Sequence, residues 1–134
     1  MKDPIIVAER SSFGEKGQIL AVDDKQFGAN HEYKIMIPFC DEACEKKGYQ
    51  ISYLTFQKGP IHEYGVNGFT ERDLLEILKH RLSCFQEGEH ACCYNEIALN
   101  SIKAAITALD CRTKDRLQRH VLKELARIKN YLEN

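Results

Sequence analysis

"GPIHEYGVNGFTERDLLEILKHRLSCFQEGEH", residues 59–90, is where the chain changes period. It opens on a turn-rich segment holding Gly59, Pro60, Gly65, Asn67 and Gly68. It continues as an amphipathic helix: Leu74, Leu75, Leu78, Leu82 and Phe85 recur at helical spacing. Thr70 suits the N-cap, with Asp73 three residues on as a shortened relative of the capping box. Gly88 stops the helix. Glycines ahead of a helix can cradle a phosphate. Here the order of strand, glycines and then Lys that a phosphate loop requires is missing.

Upstream, the period is two. "IIVA" at 5–8 and "QILAV" at 18–22 are short apolar runs bounded by polar residues and glycine. In "HEYKIMIPF", 31–39, Tyr33, Ile35 and Ile37 oppose Glu32, Lys34 and Met36. In "YQISYLTFQ", 49–57, Ile51, Tyr53 and Thr55 oppose Ser52, Leu54 and Phe56. Both are rich in β-branched and aromatic residues. Between them, "CDEACEKKG" reads as a helical turn that Gly48 ends.

Downstream, a second helix is expected from near His90. Ile97, Ala98, Ile102, Ala105, Ile106 and Leu109 form its stripe, and Leu117, Val121, Leu125, Ile128 and Leu132 continue it. With no Gly or Pro after residue 88, the helix can run about 40 residues, about 60 Å. One small sheet and one short helix cannot cover it, so a homodimer or larger homo-oligomer is expected. The fold class is therefore α+β: an N-terminal antiparallel sheet, 1–58, and a C-terminal helical hairpin with a long second helix, 59–134, in one unit.

The 134 residues are 43% hydrophobic and 29% charged, as in a globular domain of ordinary size. No apolar run is long enough to span a membrane, and "MKDPIIVAERSS" lacks the plan of a signal peptide. A cytoplasmic protein is expected. Its cysteines then read as reduced thiols filling small core positions, not as a metal site. The net charge of −1 hides an asymmetry. Residues 1–111 carry 12 Lys and Arg against 17 Asp and Glu, and residues 112–134 carry 7 against 3. An anionic partner would look to the tail.

No Walker loop, HExxH, GxGxxG or trustworthy Ser-His-Asp spacing is present, and no cofactor is expected. His62 and His80 stand alone as candidate bases, and a lone histidine is more often structural. A binding protein is the better reading. Phe85 closes the first helix and Asn95 opens the second. An aromatic face beside an amide suits a purine, by stacking and edge hydrogen bonds. Core packing for Phe85 and simple solvation for Asn95 are the ordinary alternatives. Arg112, Arg116 and Arg119 share a helix face that could clamp phosphates. Arg112 lies about 25 Å along the helix from Asn95, so the two sets can meet only if a second copy lies antiparallel. The Gly-Val-Asn-Gly turn leads into the pocket helix, with Asn67 read as part of the wall.

Across residues 59–119 the chain resembles the helical hairpin of phage anti-defence proteins. The Gly-Pro-Ile turn, "GVNG" before Thr70, the Leu-Leu pair, "RL", "FQ" and glycine, then Cys, Asn and "AL", and finally "RT" before Arg follow one another in the family's order. With the β part ahead of it, the chain is similar to the Thoeris anti-defence protein family, first type. Anti-CBASS sponge proteins of the second type have a related hairpin. The resemblance implies a non-enzymatic sponge in the infected bacterial cell, which binds a cyclic ADP-ribose isomer and holds it unaltered. It implies Phe85 and Asn95 as base contacts and Arg112 as the phosphate contact, with Thr113 beside it and Arg116 on the same stripe. Some relatives also take cyclic oligonucleotides at separate sites in higher oligomers. No nucleic acid polymer is implied. A cyclic-nucleotide-processing enzyme, or a small phage DNA-binding or assembly protein using the basic tail, are the other readings.

Overall fold

The computed structural model describes residues 3–12, 15–40 and 47–134. Residues 41–46, which hold Cys44 and most of the segment read as a helical turn, lie outside that set, while Gly48, read as the end of that turn, lies in a strand. The described chain forms two compact units, Met1–Thr70 and Glu71–Asn134.

The first unit is a four-stranded antiparallel meander, in the order β1 (Ile5–Ser12), β2 (Glu15–Ala21), β3 (Glu32–Cys40) and β4 (Lys47–Thr55). The period-two pattern sets its faces. Ala8 pairs with Ile19, Ile19 with Ile35, and Ile35 with Ser52, so these four form one row across the sheet. Tyr33 opposite Leu54 lies on the same face. A bulge between Ile6 and Ala8 shifts the β1 register. Ala21 is buried at the end of β2.

The β2–β3 connection is tied down by Asp23. Its carboxylate accepts the backbone N–H of His31 at 3.0 Å and of Glu32 at 3.1 Å. Within the loop, Phe27 and Gly28 both take positive φ, 53° and 90°, as a two-residue type I′ hairpin turn requires. Buried His31 places Nε2 2.6 Å from the Gln26 carbonyl oxygen.

The glycine-rich turn belongs with the sheet. The Phe69 N–H donates to the Thr55 carbonyl at 2.9 Å, and the Gln57 N–H donates to the Phe69 carbonyl at 2.7 Å. Gly68 is what permits this approach: a Cβ there would lie 2.4 Å from the Phe56 carbonyl carbon. Gly59 has a φ of 79°, and a Cβ on it would meet the Tyr64 ring at 2.5 Å. A short helix, α1 (Ile61–Tyr64), bridges the two glycines, an element the sequence pattern did not reveal.

The second unit is a helical hairpin of α2 (Glu71–Gln86) and α3 (Cys93–Glu133). Thr70 immediately precedes α2, as its N-cap chemistry suggested. α3 is an unbroken helix of 41 residues. It starts at Cys93 rather than His90, because Cys92 takes the N-cap with Sγ accepting from the Asn95 N–H at 3.4 Å. The two helices run antiparallel, since Arg72 meets Asp110 at 2.7 Å at one end and Gln86 meets Cys92 at the other.

The hairpin core keeps the expected Ile102, Ala105, Ile106 and Leu109 and departs from the expected stripe only in its first turns. Leu99 and Ile106 are the buried positions of α3, with Ile102, Ala105 and Leu109 half-buried. Ile97 is 63% exposed, and Ala98 is exposed too. Two residues on a helix point about 200° apart, so once α2 selects Leu99 it turns Ile97 outward. Beyond the reach of α2, Leu117, Val121, Leu125, Ile128 and Leu132 are all exposed.

Candidate ligand site on the helical hairpin

The tip of the hairpin is a closed loop held by Gln86. Its Oε1 accepts from the Cys92 N–H at 3.0 Å. Its Nε2 donates to the Cys92 carbonyl at 3.2 Å and to Glu96 Oε2 at 3.1 Å. These bonds bring the end of α2 against the start of α3.

Phe85, in the last turn of α2, is half-buried there. Its ring meets the His90 ring edge-on, with centroids 6.3 Å apart. Arg81, one turn earlier, lays its guanidinium 5.1 Å from the Phe85 ring centroid. Asn95 donates from Nδ2 to the His90 carbonyl at 3.3 Å. Among the described residues its amide oxygen meets no donor. Phe85 and Asn95 thus both contact His90, the first through its ring and the second at its backbone carbonyl.

The arginine stripe stands elsewhere. Arg112 Nη2 lies 3.4 Å from Glu71 Oε2, in the first turn of α2. The Thr113 hydroxyl donates to the Leu109 carbonyl at 3.0 Å, a back-bond to its own helix. Arg116 is exposed, and Arg119 pairs with Asp115. On an unbroken helix, Arg112 is about 25 Å from Asn95. Within one chain the ring-and-amide surface and the cations do not meet.

Asn67 lies in the sheet unit. Its Oδ1 accepts from the Lys58 N–H at 2.7 Å and its Nδ2 donates to the Lys58 carbonyl at 2.9 Å. Gln57 closes the same turn: its Oε1 accepts from the Asn67 N–H at 2.9 Å. Its Nε2 donates to the Gly65 carbonyl at 2.7 Å.

Sequence reasoning missed Arg81, Gln86, His90 and Glu71. The first had a signal, since residues four apart on a helix touch. The others needed the loop and the partner helix in place. At the stem, Arg72 grips Asp110 and its guanidinium is held still more firmly protonated, first by the hydrogen bond to Asp110 and then by that carboxylate's charge. Among the described residues no cluster of three or more His, Cys, Asp or Glu side chains could hold a metal ion. No described helix is long and apolar enough to cross a membrane.

No family model matches the chain. It is similar to the protein named Thoeris anti-defense 1 of Bacillus phage SBSphiJ7, 36% identical over 72 residues. That stretch is 54% of this chain and 51% of the phage protein, so the chain spans about half the length of the curated relative it matches. Over that stretch the chain is similar to a Thoeris anti-defence protein of a phage.

Proposed function

We propose that the chain is a phage anti-defence protein that binds a cyclic ADP-ribose isomer at the hairpin and holds it unaltered, so that the host effector is not activated. The observation that carries this reading is that Phe85 and Asn95 both contact His90 at the hairpin tip, in a chain similar to a Thoeris anti-defense 1 protein. A ring and an amide edge bind a purine and supply no chemistry to break it. Cyclic oligonucleotides, which some family members take at separate sites, are a second ligand class for this reading.

The phosphates require cations. Arg112 and Arg116, with Thr113 between them, reach the tip surface when a second copy lies antiparallel along α3. The exposed stripe from Leu117 to Leu132 supports such a pairing, because it leaves large apolar side chains in water over four turns. Each pocket of the homodimer then has its base contacts from one copy and its phosphate contacts from the other, and further assembly repeats the unit.

The test is a release experiment. The protein is incubated with cyclic ADP-ribose, freed of unbound ligand, heated, and the supernatant chromatographed. Recovery of intact ligand, close to one per pocket, is expected. A changed product would make the chain a nucleotide-processing enzyme, and no retained ligand would refute the cyclic ADP-ribose reading. A salt-dependent shift of duplex DNA would favour instead the basic tail as a DNA contact.

A further inference from the structure

We propose that Arg81 is a further ligand-contacting residue, the cation that each chain supplies to its own Phe85–Asn95 surface. This rests on the nucleotide reading above. From His80 to Ile102 it is the single Lys or Arg in the sequence, while Glu87, Glu89 and Glu96 lie in the same stretch. From its own chain, a ligand with two adjacent phosphates seated at Phe85 would therefore meet a negative surround unless Arg81 faces it. The geometry places it well. Its guanidinium sits 5.1 Å from the Phe85 ring centroid, so the group that would hold an anion is already stacked on the group that would hold the base.

Its charge is also uncommitted. Arg72, Arg112, Arg119 and Arg127 each meet a carboxylate. Arg81 meets none among the described residues, and its side chain is exposed. Two carboxylates of the tip are turned to other partners: Glu96 accepts from Gln86, and Glu89 lies 3.7 Å from His90. A guanidinium over an aromatic ring still has a planar fork of N–H donors with which to bind phosphate oxygens. The site then has one cation from its own chain, and Arg112 of a second copy would be an addition to it.

The experiment titrates cyclic ADP-ribose calorimetrically into the full chain, Arg81→Gln and Arg81→Lys, at about 0.01 M and about 1 M salt, where charges are screened beyond roughly 30 Å and 3 Å. Thermal melting confirms that each variant folds. Arg81→Gln is expected to bind at least about tenfold more weakly in low salt. The deficit should shrink in high salt, and Arg81→Lys should recover part of it. Unchanged affinity of folded Arg81→Gln overturns the proposal. So does an equal, salt-independent loss in both variants, which would mean that Arg81 only packs the ring. If the unaltered chain itself binds no cyclic ADP-ribose, the nucleotide reading fails and this inference falls with it, whereas normal binding by folded Arg81→Gln removes the inference alone.

Discussion

Arg112→Ala separates a ligand contact from a structural one. In the free protein Arg112 meets Glu71 at 3.4 Å, with the two side chains 43% and 63% exposed. A pair so open to water contributes roughly 0.2–1 kcal/mol. The hairpin should therefore lose no more than about 1 kcal/mol when Arg112 is truncated. A charge-assisted hydrogen bond to phosphate contributes about 1.5–3 kcal/mol, which is about a 10- to 150-fold change in dissociation constant. Binding and stability should thus separate clearly. Glu71→Gln works in the opposite direction. The ligand no longer has to displace a carboxylate, so affinity should rise, by up to about fivefold if the pair is worth about 1 kcal/mol. The assay is calorimetric titration with cyclic ADP-ribose beside thermal melting. Wild-type affinity in a normally melting Arg112→Ala protein would refute the phosphate role. Glu71→Gln weakening binding in parallel with Arg112→Ala would show that the pair maintains the hairpin instead of competing with a ligand.

Phe85→Ala should weaken nucleotide binding by about 1–3 kcal/mol, the range for loss of a stacking platform. Phe85→Leu should keep the melting temperature and still lose affinity; a leucine that binds normally would put the base elsewhere. Sedimentation should give a dimer or larger assembly, and Leu125→Glu, within the exposed α3 stripe, should yield monomers; a wild-type monomer at micromolar concentration would refute the pairing. For Asp23, burial pushes the carboxyl up, but the N–H groups of Glu32 and His31 and the amide of Asn30 outweigh it, so its pKa lies below the ordinary value. That stabilisation is fully present above the unfolded value of about 3.9 and is lost as pH falls through the folded one. Acidification from about pH 5 to pH 3 should destabilise the sheet unit less in Asp23→Asn than in wild type, and equal acid sensitivity by denaturant titration would count against it.

The order and kind of elements were legible from residue periodicity. Alternation in 31–39 and 49–57 places Tyr33, Ile35 and Ile37 on one face, while their partners Leu54, Ser52 and Gln50 are set by the pairing of β3 with β4. The long run without Gly or Pro after residue 88 marks α3, because only those residues carry a large helix-breaking penalty of their own. Phase and partnership were not legible. Both Ile97 and Leu99 are apolar, and nothing local says which faces inward until α2 packs against one side. The glycine-rich turn likewise looked like a lead into the helix. Its attachment to the sheet arises because Gly68 lets the chain approach Phe56 and because Asn67 and Gln57 replace missing strand partners, contacts between residues about ten apart in sequence that no local pattern encodes. The same holds at the tip. Phe85 and Asn95 could be named from the chain, and Arg81 is within reach of Phe85 along α2, but their common neighbour His90 and the carboxylate holding Arg112 exist only once two helices run antiparallel, since both depend on distances across the hairpin and not along it.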